Sequence, residues 1–247
     1  MYLKTGFRLM AALVMVMGCA GALAALPSLR LYASPVSIDA TPPAAPVKLI
    51  FIHHSTGGNW LADPNGDQPY GGLGRALMNN NYFVSATNYQ WGPRTDPGDP
   101  DTAIGSRTDI LNWPEWFTGP NHETIMNAVY TETGKNIGDF GDWTRMADPN
   151  PAAENEIVLF KSCFPNSDIY GNPDDPPLAA PNDYDHTVAN FKAVYNNILT
   201  YFAARQDKLF IVITAPPLSE VAYVANDNTT PAAGRAANAR AFNNLSL

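Results

Sequence analysis

The sequence is poor in cysteine and poor in charge, and both shortages exclude something. Two cysteines occur in 247 residues. Cys19 sits in the N-terminal apolar run and Cys163 lies deep in the chain. Cleavage of a leader before Ala20 or later leaves one thiol and so no internal disulfide. No Cys-x-x-Cys or Cys/His spacing suggests zinc, and no metal or other cofactor is expected. Lys and Arg number 15 against 23 Asp and Glu, a net charge of -8. Nucleic acid and anionic membrane surfaces both require clustered cations, so neither is expected as a general partner. Charged residues make up 15% and apolar residues 45%, a globular composition without a disorder signature. The 22 prolines and 18 glycines indicate long, ordered loops. There is no internal repeat.

The first 26 residues read as an address. Lys4 and Arg8 precede an apolar run over residues 9–26, and Ala22-Leu23-Ala24 offers a cleavage site. The run is also near the minimum for an uncleaved membrane anchor. A lipoprotein-type site at Val16-Met17-Gly18-Cys19 is the weakest of the three readings, because the apolar run continues past Cys19. All three place the domain outside the cytoplasm, with membrane contact only through this segment. Residues 27–46 form a Pro/Ala-rich linker, stiff and extended. The folded domain is expected over residues 47–247.

Within it, Val47-Lys48-Leu49-Ile50-Phe51-Ile52 is a β-branched apolar run, the mark of a strand buried on both faces. Further strands are predicted at 82–87, 157–160 and 209–214. Helices are predicted at 74–80, with Leu77 and Met78 inward, and at 123–131. Val188, Phe191, Tyr195, Ile198 and Phe202 form one helical stripe, capped by Asp185 or Thr187. A last helix opens at Pro231 with Thr230 as cap. Residues 91–113 and 171–185 read as loops. Strands alternating with helices predict a three-layer α/β fold: a mostly parallel sheet flanked by helices. Reacting groups in such sheets sit beyond the carboxyl ends of the strands.

Two such ends carry chemistry. After the first strand comes His53-His54-Ser55-Thr56-Gly57-Gly58. A serine at a strand-to-helix turn presents its hydroxyl to the crevice beside backbone N–H groups; equally, it caps the helix. After the third strand comes Ser162-Cys163-Phe164-Pro165-Asn166-Ser167-Asp168. Asn166 there is either an oxyanion donor or a turn residue. Cys163 next to the crevice raises a thiol nucleophile, but a small buried residue is the simpler reading. Asp63-Pro64-Asn65-Gly66-Asp67 is a little like a calcium loop, yet lacks its sixth-position glycine and final glutamate, and reads as a turn.

The order strand, Ser55, strand, Asn166, strand resembles the SGNH (GDSL-like) hydrolase superfamily. That resemblance implies an SGNH-hydrolase/flavodoxin-like sheet and a serine esterase. It implies Ser55 as nucleophile, Asn166 as an oxyanion donor and a glycine after the second strand as another. Gly92 and Gly105 both lie in that region, and Gly105 is preferred. His53-His54-Ser55 stands where the family has Gly-Asp-Ser. The family's Asp and His, two residues apart near the C-terminus, have no counterpart in this sequence. The reading is therefore a domain incomplete at its C-terminal end, lacking a fifth strand and a base, with little esterase activity and an unpaired sheet edge. Of the four histidines, His53 and His54 point to opposite faces of a strand, so at most one faces the crevice. His122 and His186 lie near helix starts. The implied substrate is a small-molecule or carbohydrate ester, through family analogy and location. The competing reading is a non-catalytic carbohydrate-binding or structural relative with a platform built from Trp60, Trp91, Trp113, Trp116 and Trp143.

Overall fold

Strand β1 (Val47–Ile52) is apolar at five of its six positions because it has neighbours on both edges and packing on both faces. It pairs in parallel with β2 (Tyr82–Ala86) and β3 (Ile157–Lys161). β3 pairs in parallel with β4 (Leu209–Ile213), giving the order β2-β1-β3-β4. The computed structural model describes residues 40–66, 68–138, 141–214 and 231–245. The proposed leader lies outside them. Among the described residues no helix is long and apolar enough to cross a membrane.

The pleat sends alternate side chains to opposite faces. Ile50, Ile52, Val158 and Phe160 join one core. There they meet α3 (Trp113–Phe117), α4 (His122–Thr131), α5 (Val188–Ala204) and α6 (Ala232–Leu245). Leu49, Phe51, Val84, Ala86 and Leu159 join the other. Leu61 of α1 (Thr56–Leu61), Leu73 and Leu77 of α2 (Leu73–Asn79) and Trp143 close it. Two cores on the two faces of one parallel sheet make the predicted three-layer α/β fold. Leu77 faces inward as expected, whereas Met78 stands outside that cluster.

The caps and boundaries refine the sequence reading. Thr187 caps α5, its hydroxyl accepting the Asn190 N–H at 3.2 Å. β3 runs one residue further than its apolar run, onto Lys161. A helix was expected to follow Ser55, and α1 is that helix; α3 was not expected. α1 contains Gly57 and Gly58, poor helix formers. Gly57 is required there, since a Cβ would lie 2.6 Å from that of His53. α3 wraps Trp113, Trp116 and Phe117 around Phe160, with ring centroids 4.9, 6.3 and 5.3 Å away. The loop over residues 91–113 is tightened by 3₁₀ turns at Pro100–Thr102 and Ile110–Asn112. The predicted cap Thr230 and the pair Pro216-Pro217 lie outside the described residues.

β4 is paired on one side only among the described residues. On one face Leu209 and Ile211 are 54% and 38% exposed. On the other a cavity of about 570 Å³ runs between α5 and β4, lined by Tyr195, Ile198, Phe202, Phe210, Val212 and Phe242.

Candidate functional site

In the order β2-β1-β3-β4, the chain leaves β1 for one neighbour and returns past it to the other. In open parallel sheets ligands bind at such a reversal, beyond the carboxyl ends of the strands, here those of β1 and β3. Ile52 pairs with Phe160 at this end. Ser55 therefore follows β1 by three residues and Asn166 follows β3 by five, at the same sheet edge.

Ser55 has φ 52° and ψ -132°. A residue with a Cβ rarely adopts this conformation, which costs on the order of 1–3 kcal/mol. The turn that produces it lets α1 start immediately: Gly57 N–H donates to the His54 carbonyl at 3.2 Å and Gly58 N–H to the Ser55 carbonyl at 2.9 Å. The Ser55 side chain makes no cap hydrogen bond, so the helix-cap role is not the one it fills. The residue is half-buried.

Asn166 sits in a 3₁₀ turn, Phe164–Ser167, and is fully buried. Its Oδ1 accepts the Ile110 N–H at 2.9 Å, which ties the β3 loop to the loop over residues 88–112. Its Nδ2 has no partner among the described residues. An unpaired buried N–H costs about 1–3 kcal/mol, so this donor asks for an acceptor. Asp168, the acidic residue of this segment, is taken up by structure: it pairs with Arg235 of α6 at 3.1 Å.

Gly105 reaches the edge of the site by its carbonyl rather than its N–H. The N–H donates to the Trp91 carbonyl at 2.9 Å. The carbonyl stands 3.1 Å from His54 Nδ1, which must carry the proton. The glycine is needed because a Cβ would fall 1.9 Å from the Asn88 carbonyl oxygen. Gly92 adopts φ 88°, a second reason why glycine occurs in this loop.

The two histidines separate to opposite faces. His54 faces the 88–112 loop, stacked on Tyr89 at 4.5 Å with Thr108 Oγ1 3.3 Å from Nδ1. His53 packs on Phe51 at 4.7 Å, and neither ring nitrogen has a partner among the described residues. Burial first, and then the nearby Lys161 ammonium, push its pKa down to about 3. The folded state therefore refuses a proton that the unfolded chain accepts near pH 6.5. Stability should be full above that value and fall as pH drops from 6.5 toward 3, by about 1.4 kcal/mol per pH unit. Urea midpoints measured across this window should lose that slope in His53→Leu. An unchanged slope would place the acid sensitivity elsewhere.

Other predicted groups separate from the site. Cys163 is a half-buried free thiol whose pKa burial raises, which disfavours the thiolate. Asp63 is engaged by Arg75 at 2.7 Å and by the Thr144 N–H and hydroxyl at 2.7 Å each. These contacts, Arg75 foremost, hold its carboxyl down at about 2. Asp67 lies outside the described residues. His122 Nδ1 bonds the Gly119 carbonyl at 2.8 Å at the start of α4. Trp113, Trp116 and Trp143 are at most 1% exposed, so the five-tryptophan platform does not form. Trp60 and Trp91 are half-buried.

Sequence reasoning passed over Lys161, the buried residue that ends β3. The available signal was a cation directly following four apolar strand residues, at the end of the sheet where ligands bind. Matched against protein-family models, curated proteins and solved structures, the chain finds no counterpart in any of the three.

Proposed function

We propose that this chain is an exported serine esterase of SGNH type, acting on ester-linked acyl groups such as acetyl substituents of carbohydrate. The backbone of Ser55 carries the reading. A hydroxyl residue is held in a costly conformation, with no cap bond to justify it, at the switch point of a parallel sheet. The chemistry then follows from position. Ser55 Oγ attacks the ester carbonyl, and negative charge develops on the carbonyl oxygen. Asn166 Nδ2–H is the donor that meets this charge, because its Oδ1 is already fixed by Ile110 and its N–H is open. The half-buried Trp60 and Trp91 remain as faces for a sugar ring.

The test is hydrolysis of p-nitrophenyl acetate and of an acetylated oligosaccharide. An acyl-enzyme predicts a burst of one p-nitrophenol per chain before steady turnover. Absence of both burst and turnover on every ester would remove the proposal. Asn166→Ala should lower kcat by about a hundredfold to a thousandfold. It should also cost about 1–3 kcal/mol by stranding the Ile110 N–H. A loss of stability without a loss of kcat would make Asn166 a turn residue only.

A further inference from the structure

Lys161 closes β3 after four apolar residues and is itself buried, at 3% exposure. By the pleat it shares the face of Leu159, the α1 side of the sheet. Phe160 is paired with Ile52, so Lys161 lies beside His53, two residues ahead of Ser55. Its Nζ stands 5.7 Å from the centre of the Trp60 ring. Trp60 belongs to α1, the helix that Ser55 opens. The amine is thus bracketed by β1 on one side of Ser55 and by α1 on the other.

Its bonding is sparse. Among the described residues Nζ donates to the Ser162 carbonyl at 3.1 Å, and no carboxylate lies within ion-pairing distance. Lys48 provides the contrast within the same sheet: equally buried at 2%, it is paired with Asp148 at 3.1 Å and donates to the Asn150 carbonyl at 3.3 Å. A buried ammonium lacking a counter-ion is unfavourable, and it relieves the cost by losing its proton. A buried lysine that titrates is a base.

We propose that Lys161 is the proton acceptor for Ser55, the two forming a serine–lysine pair at the carboxyl ends of β1 and β3. The proposal rests on the reading of Ser55 as nucleophile. In acylation, Ser55 Oγ forms a bond to the ester carbonyl carbon while its proton passes to neutral Lys161 Nζ. The carbonyl π pair moves to oxygen. Collapse breaks the bond to the leaving oxygen, which takes the proton from the Lys161 ammonium. In deacylation water takes the place of Ser55, Lys161 again accepts its proton, and Ser55 recovers a proton as the acid departs. No co-reactant beyond water is needed. The histidines are committed differently: His54 directs its Nδ1–H to Gly105, and His53 packs on Phe51.

The charged and titratable groups close enough to act on Lys161 are His53 and His54 from the end of β1, Asp109 from the 88–112 loop and Cys163 beyond β3. Burial lowers the Lys161 pKa from the ordinary lysine value, against the opposing pull of Cys163 and Asp109. Activity should therefore rise with pH through a single ionisation below the usual lysine range.

The experiment uses a fluorophosphonate, which phosphonylates an activated serine, on the full chain. The rate of Ser55 labelling is followed against pH, and the Lys161 ¹³Cε resonance is titrated in parallel. The two midpoints should coincide. Lys161→Met and Lys161→Arg should each slow labelling by about a hundredfold to ten-thousandfold, with Tm recorded for both. Arginine keeps the positive charge but does not give up its proton, so it separates a base from a fixed cation. Wild-type labelling that survives in folded Lys161→Met or Lys161→Arg, or midpoints that differ, would overturn the role of Lys161 and leave Ser55 standing. Ser55 unlabelled in the wild type would overturn both. Should Lys161→Met fail to fold, the arginine variant and the wild-type midpoints still decide.

Discussion

Ser55→Gly is expected to make the protein more stable and catalytically dead. Glycine adopts a positive φ readily, whereas serine at φ 52° and ψ -132° stores strain. Part of the relief is offset by the greater freedom of glycine in the unfolded chain. The net gain should be about 1 kcal/mol, or roughly 2–4 °C in Tm for a domain of this size. Ser55→Ala keeps the Cβ and so the strain, and its Tm should stay near that of the wild type. Both variants should lose ester turnover by about four orders of magnitude or more, since nothing replaces the attacking oxygen. Opposite movements of stability and activity at one residue are the mark of strain held for function. If Ser55→Gly instead destabilises, the turn is only a helix entry.

Gly105→Ala should have the largest effect on stability of any single methyl addition here. The added Cβ would sit 1.9 Å from the Asn88 carbonyl oxygen, a backbone atom that no rotamer change can move. Relief requires the 88–112 loop to shift as a unit. That loop holds His54 through Gly105 and Thr108, and holds Asn166 through Ile110. The cost should be about 3 kcal/mol or more, lowering Tm by roughly 6–12 °C. Ester turnover should fall with it, because the Asn166 anchor moves. Gly66→Ala is the control: nothing lies within 4 Å of a Cβ there, and Tm should change little. A Gly105→Ala protein with unchanged Tm would mean that the loop is pliable and does not fix the site.

The sheet was legible because its signals are dense and local. Four apolar, β-branched runs separated by helical stretches leave few alternatives, and Val47, Tyr82, Ile157 and Leu209 each begin the strand expected of them. α1 was legible only as a helix start after Ser55, because Gly57 and Gly58 disfavour helix locally and hide its extent. The glycine at 57 answers a tertiary demand, room for the His53 ring, which no window of sequence contains. α3 was hidden in a stretch broken by Pro93, Pro97 and Pro100, and forms because three aromatic residues wrap Phe160. In the site, Ser55 and Asn166 could be found from their places after strands. The role of Gly105 could not, since which of its backbone groups is occupied depends on Trp91 and His54, 14 and 51 residues away. Lys161 was missed for a related reason. A lysine at a strand end usually reaches solvent, and only the packing of Trp60 and α1 over it makes it buried.

The esterase reading comes down to whether the oxygen of Ser55 attacks an electrophile. The most direct measurement is peptide mass spectrometry after treatment with a fluorophosphonate at neutral pH. One phosphonyl adduct per chain is expected, carried by the peptide containing Ser55 and absent from Ser55→Ala. An adduct on Ser162 or Ser167 instead, or no adduct on a folded chain, would contradict it.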